Sequence, residues 1–204
     1  MLMSPSRRVL FVHVQKTGGV SVEALLGETF DDMVVDPEVR HAPLSTILDT
    51  YPEAADYWTF GFVRNPWARM QSWWAMIQHA KANAHKGGWA HKPMAKNRFW
   101  QIAAKYEDFD TFLRVGPTRH PRLGRPQIHY LTTPDKRADF IGRNETFAAD
   151  MRTVLEHLDL PAPAELPHKN KGHHTDYRES YTPWGRDRVA EIFAEDVTEF
   201  GYEF

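Results

Sequence analysis

Cysteine is absent from all 204 residues, which excludes a disulfide framework and any cysteine-ligated metal site. Its absence fits a reducing, cytoplasmic compartment. Long apolar runs are missing too: no stretch approaches the roughly 20 residues that a membrane helix needs. The segment from Ser4 to Val14 places Arg7 and Arg8 ahead of an apolar run, in the order of a secretory leader. That run, Val9 to Val14, is short, contains His13 and leads into Gln15 and Lys16 with no small-residue cleavage site, so it reads as a buried strand. A charge excess of either sign is also lacking. The net charge is -2, so no global field draws the chain to nucleic acid or a membrane surface, and any anion site must be built locally. His79, His85 and His91 lack helical ligand spacing, and His173-His174 has no nearby companions, so no metal site is expected.

What is present is an ordinary globular composition in a length that suits one domain spanning 1–204. The chain opens as strand, turn, helix: Val9 to Val14, then Thr17-Gly18-Gly19, then apolar residues at helical spacing from Val20 to Leu26. The pattern repeats. Tyr57 to Val63 reads as a strand, and Asn65-Pro66 supplies a capping side chain and a proline at the first helical position. That helix is expected to run towards Ala84 with Trp67, Met70, Trp74 and Ile77 on one stripe. Shorter helices are expected at Pro43 to Leu48, Phe99 to Tyr106 and Phe109 to Arg114. A third strand is expected at Ala138 to Gly142 and a helix from Glu145 to Leu158. A polar loop follows from Pro167 to Tyr177, and a last helix begins at Thr182-Pro183 and buries Val189, Ile192, Phe193 and Phe200. Alternating strands and helices indicate an α/β fold: a P-loop-like, three-layer arrangement with a central, mainly parallel sheet flanked by helices. In such sheets ligands bind beyond the carboxyl ends of the strands, and the turns at Lys16 and Arg64 both fall there.

Each turn has the chemistry of an anion site. In Lys16-Thr17-Gly18-Gly19-Val20-Ser21, glycines let backbone N–H groups approach a phosphate. The following helix adds unpaired N–H groups and a positive dipole end. Lys16 adds a charge, and Thr17 and Ser21 add hydroxyls. The order is not that of an ATP P-loop, in which lysine follows the glycines. A surface turn with a solvated lysine is equally compatible with the hexapeptide alone. In Phe62-Val63-Arg64-Asn65-Pro66-Trp67, Arg64 ends an apolar strand where a helix begins, and its guanidinium suits bidentate capture of a phosphate. Ser72, about two turns into that helix, could share the anion. An arginine paired with a carboxylate beside a plain helix cap is the other reading. Two such turns at adjacent strand ends together suit a ligand with phosphate-like groups at both ends.

Phe11-Val12-His13-Val14-Gln15-Lys16-Thr17-Gly18-Gly19 resembles the 5'-phosphosulfate loop of sulfotransferases that use 3'-phosphoadenosine 5'-phosphosulfate (PAPS). Phe62-Val63-Arg64-Asn65-Pro66 with Ser72 resembles their 3'-phosphate motif. The nearest group by motif is the Golgi carbohydrate sulfotransferases and their soluble bacterial relatives. Weaker matches occur at Gln127 to Leu131, Phe140 to Glu145, Leu166 to Lys171, and Asp196 with Phe200 to Phe204. The resemblance implies that Lys16, Thr17, Gly18, Gly19, Val20 and Ser21 hold the 5'-phosphosulfate of PAPS and that Arg64 and Ser72 hold the 3'-phosphate. It also implies that His41, in a His-Ala-Pro context, is the general base, while Lys16 stabilises the leaving oxygen. Gln15 stands where proline is usual in the family, and Val20 where threonine is usual, which removes one hydroxyl donor. Arg143 either braces the nucleotide site or pairs internally with Glu145. Lys169 and Lys171 either cover the nucleotide or belong to a solvated loop.

The segment from His79 to Arg125 is locally basic, with Lys81, Arg98, Arg114 and Arg122 among its cations and Trp89, Phe99 and Trp100 among its rings. This suits a hydroxyl-bearing acceptor such as a sugar or acidic glycan, and equally a solvated face over buried aromatics. Two other function classes fit the same turns: a nucleotide-dependent phosphotransferase, and a non-catalytic nucleotide-binding module.

Overall fold

In the computed structural model, residues 1–27, 29–86, 96–163 and 176–204 are described. They fall into two units, one built from residues 1–64 and 127–173 and the other from 65–126 and 174–204. Among the described residues the strands are β1 (Leu2–Ser4), β2 (Val9–Val12), β3 (Trp58–Val63) and β4 (Phe140–Arg143). The helices are α1 (Gly19–Leu26), α2 (Leu44–Thr50), α3 (Pro66–Asn83), α4 (Arg98–Ala103), α5 (Phe109–Arg119), α6 (Pro121–Gly124), α7 (Ile128–Leu131), α8 (Phe147–His157), α9 (Pro183–Ile192) and α10 (Ala194–Phe200).

The first unit carries the sheet, in the order β1-β2-β3-β4. β2, β3 and β4 are parallel and β1 is antiparallel to β2, so the expected α/β architecture with a mainly parallel sheet is observed. Every residue of β2 is buried, as befits a strand covered on both faces. Alternate residues Val9, Phe11, Phe60 and Phe62 face one way and pack on Val22 and Leu26 of α1 and on Phe147, Met151, Val154 and Leu155 of α8. On β3, Gly61 admits α7: a Cβ there would lie 2.4 Å from Leu131 Cδ2. Because β2, β3 and β4 run the same way, their carboxyl ends lie together, and the Lys16 turn, Arg64 and Asn144 follow those ends in turn.

Several boundaries differ from expectation for local reasons. β2 ends at Val12 because the Val14 N–H donates to Val12 O at 3.1 Å and turns the chain. β1 was not foreseen, since three residues are too few to show an alternation; its register, Leu2 with Phe11 and Ser4 with Val9, comes from a partner elsewhere in the chain. The segment 138–139 is not yet strand: the Ala138 N–H donates to Leu131 O, and the Asp139 N–H to Thr59 O as the chain enters β4.

In the second unit, Asn65 caps α3 by accepting from the Trp67 and Ala68 N–H groups. Its Nδ2 donates to Glu203 O at 2.8 Å. The buried stripe of α3 runs through Trp67, Met70, Trp73, Ile77 and Ala80. Trp74, expected in that stripe, is half-buried against the rings of Phe109 and Phe112. The Tyr181 hydroxyl donates to Trp67 O, and Trp67 Nε1 donates to Arg186 O. The expected last helix is two: the backbone of Phe193, at φ -110 and ψ 31, separates α9 from α10. Val189, Phe193 and Phe200 are buried as expected, while Ile192 is only half-buried.

Candidate functional site at the carboxyl ends of the strands

Lys16 leaves the sheet in a left-handed conformation, φ 71. That costs a non-glycine residue roughly 1–2 kcal/mol, and such strain concentrates where a fold holds a residue for use. Gly18, the N-cap of α1, is also left-handed at φ 98, and no side chain caps the helix. Thr17 is fully buried and its hydroxyl donates to Val14 O at 2.9 Å, so that hydroxyl is spent closing the turn. Ser21 is buried in the first turn of α1, while Val20 is 43% exposed.

Arg64 lies beside this turn. Its Nη1 donates to Lys16 O at 3.5 Å, the limit of a hydrogen bond. Burial, with the charge of Arg64 added, lowers the Lys16 ammonium from 10.5 to about 8. The backbone of Arg64 is clamped by one side-chain amide: its N–H donates to Gln127 Oε1 at 2.9 Å, and Gln127 Nε2 donates back to its carbonyl at 2.8 Å. Gln127 is wholly buried. Nothing in its sequence position announces this role, because the bonding partner is a backbone rather than a patterned side chain.

β4 closes the other side of the turn. A Cβ on Gly18 would come within 3.1 Å of Asn144 Nδ2 and 3.2 Å of the Phe147 ring. Arg143, opposite Val63 in the sheet, is exposed, and its N–H donates to Asp150 Oδ2 at 2.6 Å.

A second cluster adjoins the start of α1. The His13 ring fills the space that a side chain at Gly19 would take: a Cβ there would meet its Nε2 at 2.1 Å. One helical turn later, Glu23 lies on the same face of α1 and accepts from His13 Nδ1 at 2.8 Å. Arg40 donates to both oxygens of that carboxylate, from Nε at 2.9 Å and from Nη2. Burial alone would raise Glu23, but these hydrogen bonds outweigh it and hold the carboxyl at about 2. His41 stands edge-on to His13 with ring centroids 4.4 Å apart, and its Nδ1 lies 3.2 Å from His13 O. A carbonyl only accepts, so Nδ1 carries the proton and the lone pair is on Nε2. Burial, reinforced by the neighbouring His13, lowers His41 to about 3, which leaves the imidazole neutral at pH 7. Burial lowers His13 as well.

The geometry therefore brings Lys16, Thr17, Gly18, Gly19, Val20, Ser21 and Arg64 into one neighbourhood, with Asn144 against Gly18 and His41 one imidazole away from the start of α1. Ser72 sits half-buried on α3 in the second unit. Lys169 and Lys171 lie outside the described residues, as do Trp89 and Lys92 of the basic segment. Phe99 is stacked under Arg122, 4.6 Å from centroid to guanidinium. Sequence reading placed His13 in the loop motif and Gln127 at the head of a weaker match without giving either a role, and it passed over Glu23 and Arg40. The interval from Gly19 to Glu23, one helical turn, was the available signal for Glu23.

A cation pair against a glycine turn and a helix start suits a multiply charged anionic ligand, and a neutral imidazole close by suits proton abstraction. The sequence model of the sulfotransferase family matches residues 1–203. A search of curated proteins finds no match.

Proposed function

Since this chain belongs to the sulfotransferase family, we propose that it transfers a sulfuryl group from PAPS to a hydroxyl of an acceptor, with Lys16 and Arg64 as donor-binding cations and His41 as general base. PAPS, when bound, supplies the activated sulfuryl group and a phosphate leaving group. The observation that carries this reading is the juxtaposition of two cations, Arg64 close enough to depress Lys16, beside a left-handed glycine turn. Such a pair repels itself, and an anion relieves that repulsion.

Each residue then has a defined task. The Lys16 ammonium faces the bridging oxygen as the S–O bond breaks and negative charge gathers there. The backbone N–H groups at the start of α1 hold the adjacent phosphate. His41 Nε2 takes the acceptor hydroxyl proton as the new O–S bond forms, so the proton ends on His41 and the electron pair on the departing phosphate. A base lowered to about 3 is weak alone. The negative charge of a bound donor raises it, coupling proton abstraction to an occupied site.

Calorimetry with 3'-phosphoadenosine 5'-phosphate and with ATP tests the nucleotide half of this reading: tight binding of the former and weak binding of the latter are expected. Stronger binding of ATP overturns it in favour of a phosphotransferase. Transfer of labelled sulfate across a panel of acceptors, with sugars and acidic glycans as the leading class, tests turnover. His41→Ala should abolish transfer while leaving nucleotide affinity within about threefold. Full activity in that variant removes His41 from the mechanism.

A further inference from the structure

Glu23 is a carboxylate held ionised with its side chain only 16% exposed, and the reaction scheme gives it no task. Its three hydrogen bonds all lead towards His41. The Arg40 side chain, fixed by Nε and Nη2 on the two carboxylate oxygens, anchors the residue that immediately precedes His41. His13, fixed through Nδ1 on Oε1, presents the carbonyl that receives His41 Nδ1–H and the ring against which His41 stands. The imidazole is thus held from its chain side and from its ring side by one carboxylate. Gly19 completes the arrangement, because only a residue without Cβ leaves room for the His13 ring above Glu23.

We propose that Glu23 is a positioning residue for His41: acting through His13 and Arg40, it holds the imidazole in the single tautomer with hydrogen on Nδ1 and the lone pair on Nε2. This rests on the reading of His41 as the base only for its catalytic consequence; the tautomer itself is a property of the resting protein. Among the described residues, His13, Arg40 and the Met1 amine are the charged or titratable groups acting on His41. The Met1 amine donates to Arg40 O at 2.6 Å and so adds a second hold on the chain side that does not pass through Glu23. Asp36 acts on that amine, and its carboxylate is engaged by Tyr51 and by the Glu38 N–H. A buried ion pair with no further role would be the rival explanation. It predicts that removing Glu23 costs stability and leaves the His41 tautomer unchanged.

The test uses the full chain labelled with 15N-histidine, at a pH near 7.5 where His41 is neutral. Long-range 1H–15N spectra should show His41 wholly as the Nδ1–H form in the parent protein. In Glu23→Gln, which keeps the shape but supplies one acceptor oxygen in place of two, a mixture of both tautomers is expected. Turnover should fall about 10- to 100-fold, with the affinity for 3'-phosphoadenosine 5'-phosphate within about threefold of the parent. Glu23→Asp, which keeps the charge, should recover part of both signals. If Glu23→Gln does not fold, Arg40→Gln breaks the chain-side tether alone and should also mix the tautomers. An unchanged His41 pattern in the folded variants overturns the proposal, whatever the turnover. Retained turnover in His41→Ala would instead sink the general-base reading while the tautomer measurement still decides the role of Glu23.

Discussion

Lys16 is where residue chemistry and binding meet. Burial, aided by Arg64, brings its ammonium down to about 8, so the charge needed for an anion is present at pH 7 and fades in mildly alkaline solution. The affinity for 3'-phosphoadenosine 5'-phosphate should therefore weaken by about tenfold per pH unit once Lys16 has lost its proton. A bound anion favours the charged form, so Lys16 keeps its proton to a higher pH in the complex, and the affinity falls between about 8 and that higher value. Calorimetry from pH 7 to 9.5 checks this, and Lys16→Met should bind weakly with little dependence on pH. A parent affinity that is flat across that range would mean Lys16 does not face the ligand. The two cations were legible in the sequence because each follows a largely buried, mainly apolar run, Val9 to Val14 and Trp58 to Val63, at the point where a helix is about to begin. The Gln127 clamp and the Glu23 tether were not. They are pairwise contacts between distant positions, and neither polar residue breaks a pattern where it stands.

At the scale of the element, α1 illustrates a residue read for one task and used for another. Gly18 and Gly19 look alike in the sequence, both suited to close approach of a phosphate. Only Gly18 needs its conformation, at φ 98; Gly19 opens the helix and is glycine because His13 occupies the place of its Cβ, 2.1 Å away. An exposed glycine in a helix gains up to about 1 kcal/mol when replaced by alanine. Here the clash with a buried ring should reverse the sign and destabilise by about 1–3 kcal/mol. Urea unfolding of Gly19→Ala measures it, and the double variant His13→Ala, Gly19→Ala should lose the penalty attributable to the clash. Gly19→Ala more stable than the parent would show that the ring moves aside at no cost. The presence of β2 and β3 and the start of α3 show in the sequence because burial on both faces and the Asn-Pro cap leave local signals, whereas the end of β2, expected at Val14, is set by the turn at Val12. β1 and the break at Phe193 leave none, since each is set by what the segment packs against.

For the whole molecule, the buried titratable groups set a pH of greatest stability that net charge would not suggest. His41 has an ordinary value of 6.5 and lies at about 3 when folded. Between those values the unfolded chain binds a proton that the folded chain refuses, so stability falls as pH drops through that window. Burial lowers His13 and His120 too, and both act in the same direction. Glu23, at about 2 against an ordinary 4.5, extends the loss further into acid, since its ion pair is present above 4.5 and lost as pH falls towards 2. On the alkaline side Lys16 has the opposite effect: between about 8 and 10.5 the unfolded chain keeps a proton that the folded chain has shed, so stability rises with pH. Tyr181 limits that rise. Burial pushes its hydroxyl well above the ordinary 10.0, so beyond that pH the unfolded chain ionises first and is favoured. The melting temperature should therefore peak in mildly alkaline solution, between about pH 8 and 10, well above the sequence isoelectric point of 6.6. Scanning calorimetry from pH 4 to 10.5 gives the curve. His41→Gln should flatten its acid limb, and Lys16→Met should remove the rise above pH 8 and move the maximum downwards. A peak at or below pH 6 in the parent protein would show that these side chains are not buried as ionisable groups, and the electrostatic basis of the site would fall with it.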